Sequence, residues 1–148
     1  MRYDPVMIQP FRDELTRIGF RELNTPAAVD KSINEDKGLN FIVVNSVCGC
    51  AAGKARPGIA MALKQSPFKP DHLTTVFAGG DVEATARLRE IMGNIPPSSP
   101  AMAFFKDGQL VHFVPRFQIE SRDALQISQH LIETLKELST KTETTPAQ

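Results

Sequence analysis

The sequence predicts an α/β fold, a three-layer α/β/α sandwich around a mixed central sheet. Three observations carry this. Two short apolar runs without polar alternation, residues 41–45 and 73–78, have the character of strands buried on both faces. Helical patterns alternate with them, which argues for parallel pairing. Further on, Lys106-Asp107-Gly108 joins two more strand-like runs as an Asp-Gly hairpin turn, which adds an antiparallel pair.

Taken in order, Met7, Phe11, Leu15 and Ile18 recur at helical spacing, and Gly19 is a plausible stop. Pro5 and Pro10 both fall near the start, so the pattern leaves the first turn open. Thr25-Pro26 has the form of an N-cap followed by proline at the first helical position, and Gly38 closes that short helix. The strand at 41–45 runs directly into Val47-Cys48-Gly49-Cys50-Ala51-Ala52 and a helical stretch to about Leu63, which Pro57 should kink by removing a backbone donor. After the strand at 73–78, Asp81 is placed to cap a helix with Leu88, Ile91 and Met92 on its apolar face and Gly93 as its stop. A stiff loop, residues 95–100, precedes the hairpin of strands 101–105 and 109–114. Ser121 is placed to cap a last helix carrying Ala124, Ile127, Leu131, Leu135 and Leu138. Residues 139–148 are polar and lack large apolar side chains, so a disordered tail is expected after one domain spanning residues 1–138. The order, two helices and then β-(Cys-x-Cys)-α-β-α-β-β-α, is that of thioredoxin-like folds.

Composition narrows the function. Of 148 residues, 41% are hydrophobic, enough for a core without staples. Seventeen basic residues balance seventeen acidic ones, and no basic run is interleaved with aromatics, so nucleic acid is not an expected partner. No apolar run approaches the ~20 residues needed to cross a bilayer, and Asp4, Pro5 and Gln9 stand where a signal peptide would be apolar. A cytosolic address is expected, where thiols are mostly kept reduced. Two cysteines two residues apart are no fold staple, so another purpose is needed.

A cysteine between a strand end and a helix N-terminus meets unpaired backbone N–H groups, which favour the thiolate that thiol exchange requires. Cys48 is so placed, with small Gly49, Ala51 and Ala52 leaving access for a disulfide and with Lys54 and Arg56 adding positive charge. Cys48 is the expected nucleophile and Cys50 the resolving thiol. A Cys-x-Cys disulfide closes a small, strained ring, which makes the pair a better oxidant or isomerase than reductant. Two inert buried cysteines are the bland reading. A structural zinc would need four ligands, and His72, His112 and His130 fall on unrelated elements, so no metal site is expected. Pro100 stands directly before the hairpin, where thioredoxin-like folds place a cis proline facing the reactive cysteine; this would leave the Ser99 backbone open to an extended thiol substrate. Asn45 could hydrogen-bond the turn that holds Cys48 or cap the strand end. Arg56 could hold a substrate carboxylate or lie solvated, and His112 is expected at the sheet edge.

The chain resembles the bacilliredoxin family over residues 3–138. The resemblance rests on Val43-Val44-Asn45-Ser46-Val47-Cys48-Gly49-Cys50-Ala51-Ala52-Gly53 with Ala55-Arg56-Pro57, on Val76-Phe77-Ala78-Gly79 and Pro97-Ser98-Ser99-Pro100, and on Val111-His112-Phe113 with Pro115-Arg116. It implies a thioredoxin-like protein that removes bacillithiol, a small thiol with two carboxylates, from protein mixed disulfides. Cys48 would attack the mixed disulfide, and Cys50 or a second bacillithiol would resolve it. Bacillithiol would be a co-substrate with no bound cofactor, and the partners would be bacillithiolated clients and a reductase. Some members carry another cysteine near the C-terminus, which this chain lacks. Two other functions fit the same residues: a general protein disulfide isomerase or oxidant, and a non-catalytic interaction or metal-carrier module.

Overall fold

A computed structural model describes the backbone of residues 2–144 and the side chains of residues 2–139. Helix α1, Pro5–Thr16, starts at the first of the two prolines because Asp4 caps it, its carboxylate accepting the Val6 N–H at 2.9 Å. Its buried face is Ile8 and Leu15; Leu15 lies inside as expected, whereas Ile8 takes the place expected of Met7, which is half exposed. A two-residue strand β1, Arg21–Glu22, follows. Helix α2, Pro26–Glu35, is capped as predicted, with the Ala28 N–H donating to Thr25 Oγ1 at 3.1 Å. Strand β2, Leu39–Asn45, is buried along its whole length.

A π-helical turn, Ala51–Ala55, leads into α3, Arg56–Gln65. Pro57 lies just after this π-helical turn, whose wider register accommodates the missing backbone donor inside the continuous helical stretch. Strand β3 is His72–Phe77 and helix α4 is Val82–Met92, ended by Gly93 at φ 79°. Asp81 stands at the N-cap position of α4 but makes no cap bond. Its carboxylate instead takes both terminal nitrogens of Arg12 at 3.0 Å and the Phe77 N–H at 3.1 Å, because a half-buried arginine outcompetes the helix end. Strands β4, Ala101–Lys106, and β5, Gln109–Val114, form the predicted hairpin, with Asp107 and Gly108 both at positive φ. A short helix α5, Arg116–Glu120, follows, and Ser121 ends it rather than capping the next. Helix α6, Ala124–Thr144, is capped by Asp123, which exchanges reciprocal bonds with Gln126. The helix continues past Leu138 into the segment expected as a tail, since no glycine or proline interrupts the sequence before Pro146. Residues 145–148 of that segment lie outside the described residues.

The sheet order is β1-β3-β2-β4-β5, with β2 parallel to β3 and antiparallel to β4. The period-two alternation of β2 divides the core. Phe41 and Val43 point, with Met102 and Phe104, at Leu15, Ile59, Ile127 and Leu131. Ile42 and Val44 point the other way, with Ala101 and Ala103, at Val29, Ile33, Ala84 and Leu88. Helices α1, α3 and α6 thus cover one face, and α2 and α4 the other. Helices α3 and α6 cross closely at Gly58, where an added Cβ would lie 2.7 Å from Ile127 Cγ2. The central strand, held on both sides, ends at Asn45 and delivers the chain to Cys48.

Candidate active site

The helix after β2 begins at Gly49, so Cys48 occupies its N-cap position. N-cap side chains accept the otherwise orphaned N–H groups of the first turn. Here the acceptor is sulfur: Cys50 N–H donates to Cys48 Sγ at 3.3 Å. The Cys48 carbonyl accepts from Ala51 and Ala52 at 3.0 and 3.2 Å, and its own N–H donates to Ser46 Oγ at 3.1 Å. The turn is therefore fixed from both sides. Both cysteines are unpaired thiols, half-buried, while Gly49 between them is exposed with open space where a side chain would stand. A disulfide can approach there.

Burial opposes ionisation of Cys48. The Cys50 N–H, the Cys50 thiol, the positive charge of Arg116 and the Ala51 N–H together outweigh it, so its pKa lies below the ordinary thiol value. Cys50 goes the other way: burial, the hydrogen bond with Cys48, the Cys48 charge and the carboxylate of Glu120 hold it up. The pair is thus polarised into a thiolate and a thiol, the division of labour of an attacking and a resolving cysteine. In a Cys50→Ser variant, iodoacetamide labelling of Cys48 is expected to titrate with a midpoint below the ordinary ~8.5. Reactivity then persists to lower pH and is lost as pH falls through that midpoint. A midpoint at or above the ordinary value contradicts the assignment.

The other residues singled out in the sequence are distributed unevenly. Asn45 does hold the turn: its Oδ1 accepts the Ser46 N–H at 2.8 Å, and its Nδ2 reaches the Phe11 carbonyl. The Ser99–Pro100 peptide is cis, and Pro100 is buried. The Ser99 carbonyl accepts from Arg116 Nη1 at 3.4 Å. Arg56 is corrected. It is no solvated or substrate-facing cation but a buried one, its side chain 2% exposed, donating to Glu14, Asn45 Oδ1 and the Ser46 carbonyl. Its place in the first turn of α3, under α1, turns it inward. Lys54 donates to the Glu120 carbonyl, tying the cysteine helix to α5. His112 is half-buried on β5, and the histidines are not all scattered: its Nε2 lies 3.1 Å from Nε2 of His130. No group of three or more potential metal-ligating side chains occurs among the described residues. No helix among them is long and apolar enough to cross a membrane.

The sequence assigns Arg116 no role. In the structure it is the cation whose charge acts on both sulfurs, and it is fixed by Ser98, Ser99 and Glu120. Its signals in the sequence are a position directly after the hairpin and, as Pro115-Arg116, a place among the motifs of the family resemblance. Tertiary packing of α5 against the Ala51–Ala55 turn brings it in.

A mixed sheet with a polarised Cys-x-Cys at a strand–helix junction and a cis proline before the hairpin defines a thiol–disulfide oxidoreductase of the thioredoxin class. Comparison with solved structures agrees on the fold. A thioredoxin from Fasciola hepatica covers 80% of this chain and 98% of its own, with a TM-score of 0.53 and 24% identity. Mitochondrial thioredoxin 3 of Saccharomyces cerevisiae gives a TM-score of 0.55 at 16% identity, covering 84% and 98%. The family model described as disulphide isomerase matches residues 3–139. A bacilliredoxin of Geobacillus kaustophilus is 49% identical over 135 residues, 89% of this chain and 93% of the relative. A bacilliredoxin of Salinibacter ruber is 49% identical over 138 residues, 92% and 81% of the two chains. The chain belongs to this disulphide isomerase family, among the bacilliredoxins.

Proposed function

We propose that this protein removes bacillithiol from protein mixed disulfides. The observation that carries the chemistry is the Cys48 sulfur, held as acceptor at a helix start beside the Cys50 thiol; the substrate is what the bacilliredoxin resemblance implies. The Cys48 thiolate attacks the bacillithiol sulfur of the mixed disulfide. A Cys48–bacillithiol disulfide forms, the client–bacillithiol disulfide breaks, and the client leaves as thiolate. Cys50 then attacks Cys48, losing its proton to the departing bacillithiol thiolate, and the Cys48–Cys50 disulfide remains. A dithiol reductase, or a second bacillithiol acting directly on the Cys48 adduct, returns the pair to thiols. The reading places the protein in the cytosol, with bacillithiol as co-substrate and no bound cofactor.

The same pair would serve a general disulfide isomerase, a reading favoured by the description of the family model. Mass spectrometry of the Cys50→Ser variant, mixed with a bacillithiolated test protein, separates the two. The expected result is one bacillithiol added at Cys48 and the client returned to its free thiol. No adduct, alongside rapid reaction with scrambled protein disulfides, would transfer the proposal to the isomerase. No reaction with either would leave a non-catalytic interaction or metal-carrier module.

A further inference from the structure

Beside Arg116 the surface opens into a groove of ≈ 420 Å³, with Ile95, Pro96, Pro97, Phe113, Pro115 and Phe117 among its lining residues. That volume is within the range of small-molecule sites. The lining is mostly apolar and rigid, three of these six being prolines, and Phe117 stands two-thirds exposed at 67%. Arg116 and Glu120 supply the charged side chains of the groove, and both also act on the cysteine pair. Helix α5, which carries both, packs on the Ala51–Ala55 turn that directly follows Cys50, so the groove adjoins the cysteine helix.

The guanidinium is incompletely used. Nε pairs with Glu120 Oε2 at 3.2 Å and Nη1 reaches the Ser99 carbonyl at 3.4 Å, while Nη2 has no partner among the described residues. The ion pair joins residues one helical turn apart whose side chains are 42% and 46% exposed, a kind of pair worth little and easily exchanged. A ligand carboxylate can take the place of Glu120 at little cost and gain the two-pronged geometry that guanidinium groups offer. Lys54, the other cation nearby, is engaged with the Glu120 carbonyl.

We propose that Arg116 is the specificity-determining residue of this site: it receives a carboxylate on the small-thiol half of the mixed disulfide, whose body lies in the adjoining groove. The occupant is a small anionic thiol, and Glu120 is its resting-state stand-in. The inference rests on the exchange reading above but not on the thiol being bacillithiol.

The test uses one test protein carrying either mercaptosuccinate or its uncharged diamide, and compares the second-order rates of thiol release. The ratio of the two rates for each enzyme cancels changes in Cys48 nucleophilicity, so a role confined to the thiolate would leave it unchanged. Wild type is expected to favour the dicarboxylate. Arg116→Gln is expected to lower the ratio about tenfold, the size of one charge-assisted contact. Arg116→Lys should recover part of it, and Glu120→Gln should raise it. Equal slowing of both substrates by Arg116→Gln, or no preference in wild type, overturns the proposal. An Arg116-dependent ratio with no advantage for the bacillithiol adduct over a glutathione adduct upholds this inference and removes the bacillithiol reading.

Discussion

Cys48→Ser is expected to reduce thiol exchange to the background of the small thiols in solution, in every assay and at every pH in the neutral range. A serine hydroxyl keeps the N-cap bond and the fold but supplies no thiolate, and exchange requires one. The effect is asymmetric with Cys50→Ser, because Arg116 reaches both sulfurs but only Cys48 has the Cys50 and Ala51 N–H groups acting to favour its anion. Single-turnover release of thiol from a mixed disulfide should therefore survive in Cys50→Ser and vanish in Cys48→Ser. The measurement is one burst of released client thiol, followed by a colorimetric thiol reagent. Equal loss in both variants, with both folded by circular dichroism, would show that the two sulfurs act as one unit and that the assignment of attack to Cys48 is wrong.

That asymmetry is legible in the amino-acid sequence, and the reason is local. A strand of apolar residues ending in Asn45, a two-residue turn and a run of small helix-formers fix where Cys48 stands relative to the helix start, whatever the rest of the chain does. The hairpin is legible for the same reason, since Asp107 and Gly108 carry the positive φ angles that the turn demands. What escapes has no local signal. Strand β1 is two residues long and exists only because β3 pairs with it. Helix α5 has five residues and gains its place by packing on the Ala51–Ala55 turn. The caps expected at Asp81 and Ser121 fail because another partner competes: the half-buried Arg12 claims Asp81, and Asp123 makes the better box with Gln126.

The two arginines show the limit most clearly. Arg56, close to the cysteines in sequence, is the natural candidate for a substrate contact, and Arg116, sixty-odd residues away, is not. Sequence distance ranks them wrongly because helix phase, not proximity, decides which way a side chain faces. Arg56 falls on the inner face of α3, and Arg116 comes to the surface where α5 turns back on the site.

Arg56 is nevertheless expected to matter more for stability than any other polar residue of the site. Its guanidinium joins three elements: Nε donates to Glu14 of α1 at 2.8 Å, and Nη1 donates at 2.9 Å to both Asn45 Oδ1 and the Ser46 carbonyl at the end of β2. The Phe11 ring lies 5.1 Å from its centre. Through Asn45 and Ser46 the network reaches the Cys48 N–H. Replacing a whole buried ion pair by apolar groups can be neutral, but removing one member is not. In Arg56→Met, Glu14 is 43% exposed and can take up water, whereas Asn45 and Ser46 stay buried with their acceptors deprived of a charged donor. The loss is therefore set by those two acceptors and should be about 3 kcal/mol. For a domain of this size that lowers Tm by about 6–12 °C. Arg56→Lys keeps the charge but replaces a planar fork with a single ammonium, so it should recover only part. Below its own unfolding range, Arg56→Met should also label more slowly at Cys48, since the turn that presents the sulfur is no longer held from beneath. Thermal unfolding followed by circular dichroism, with iodoacetamide labelling at about 20 °C or below, checks both expectations. A Tm within about 2 °C of wild type would mean that the β2 end is held by Asn45 alone.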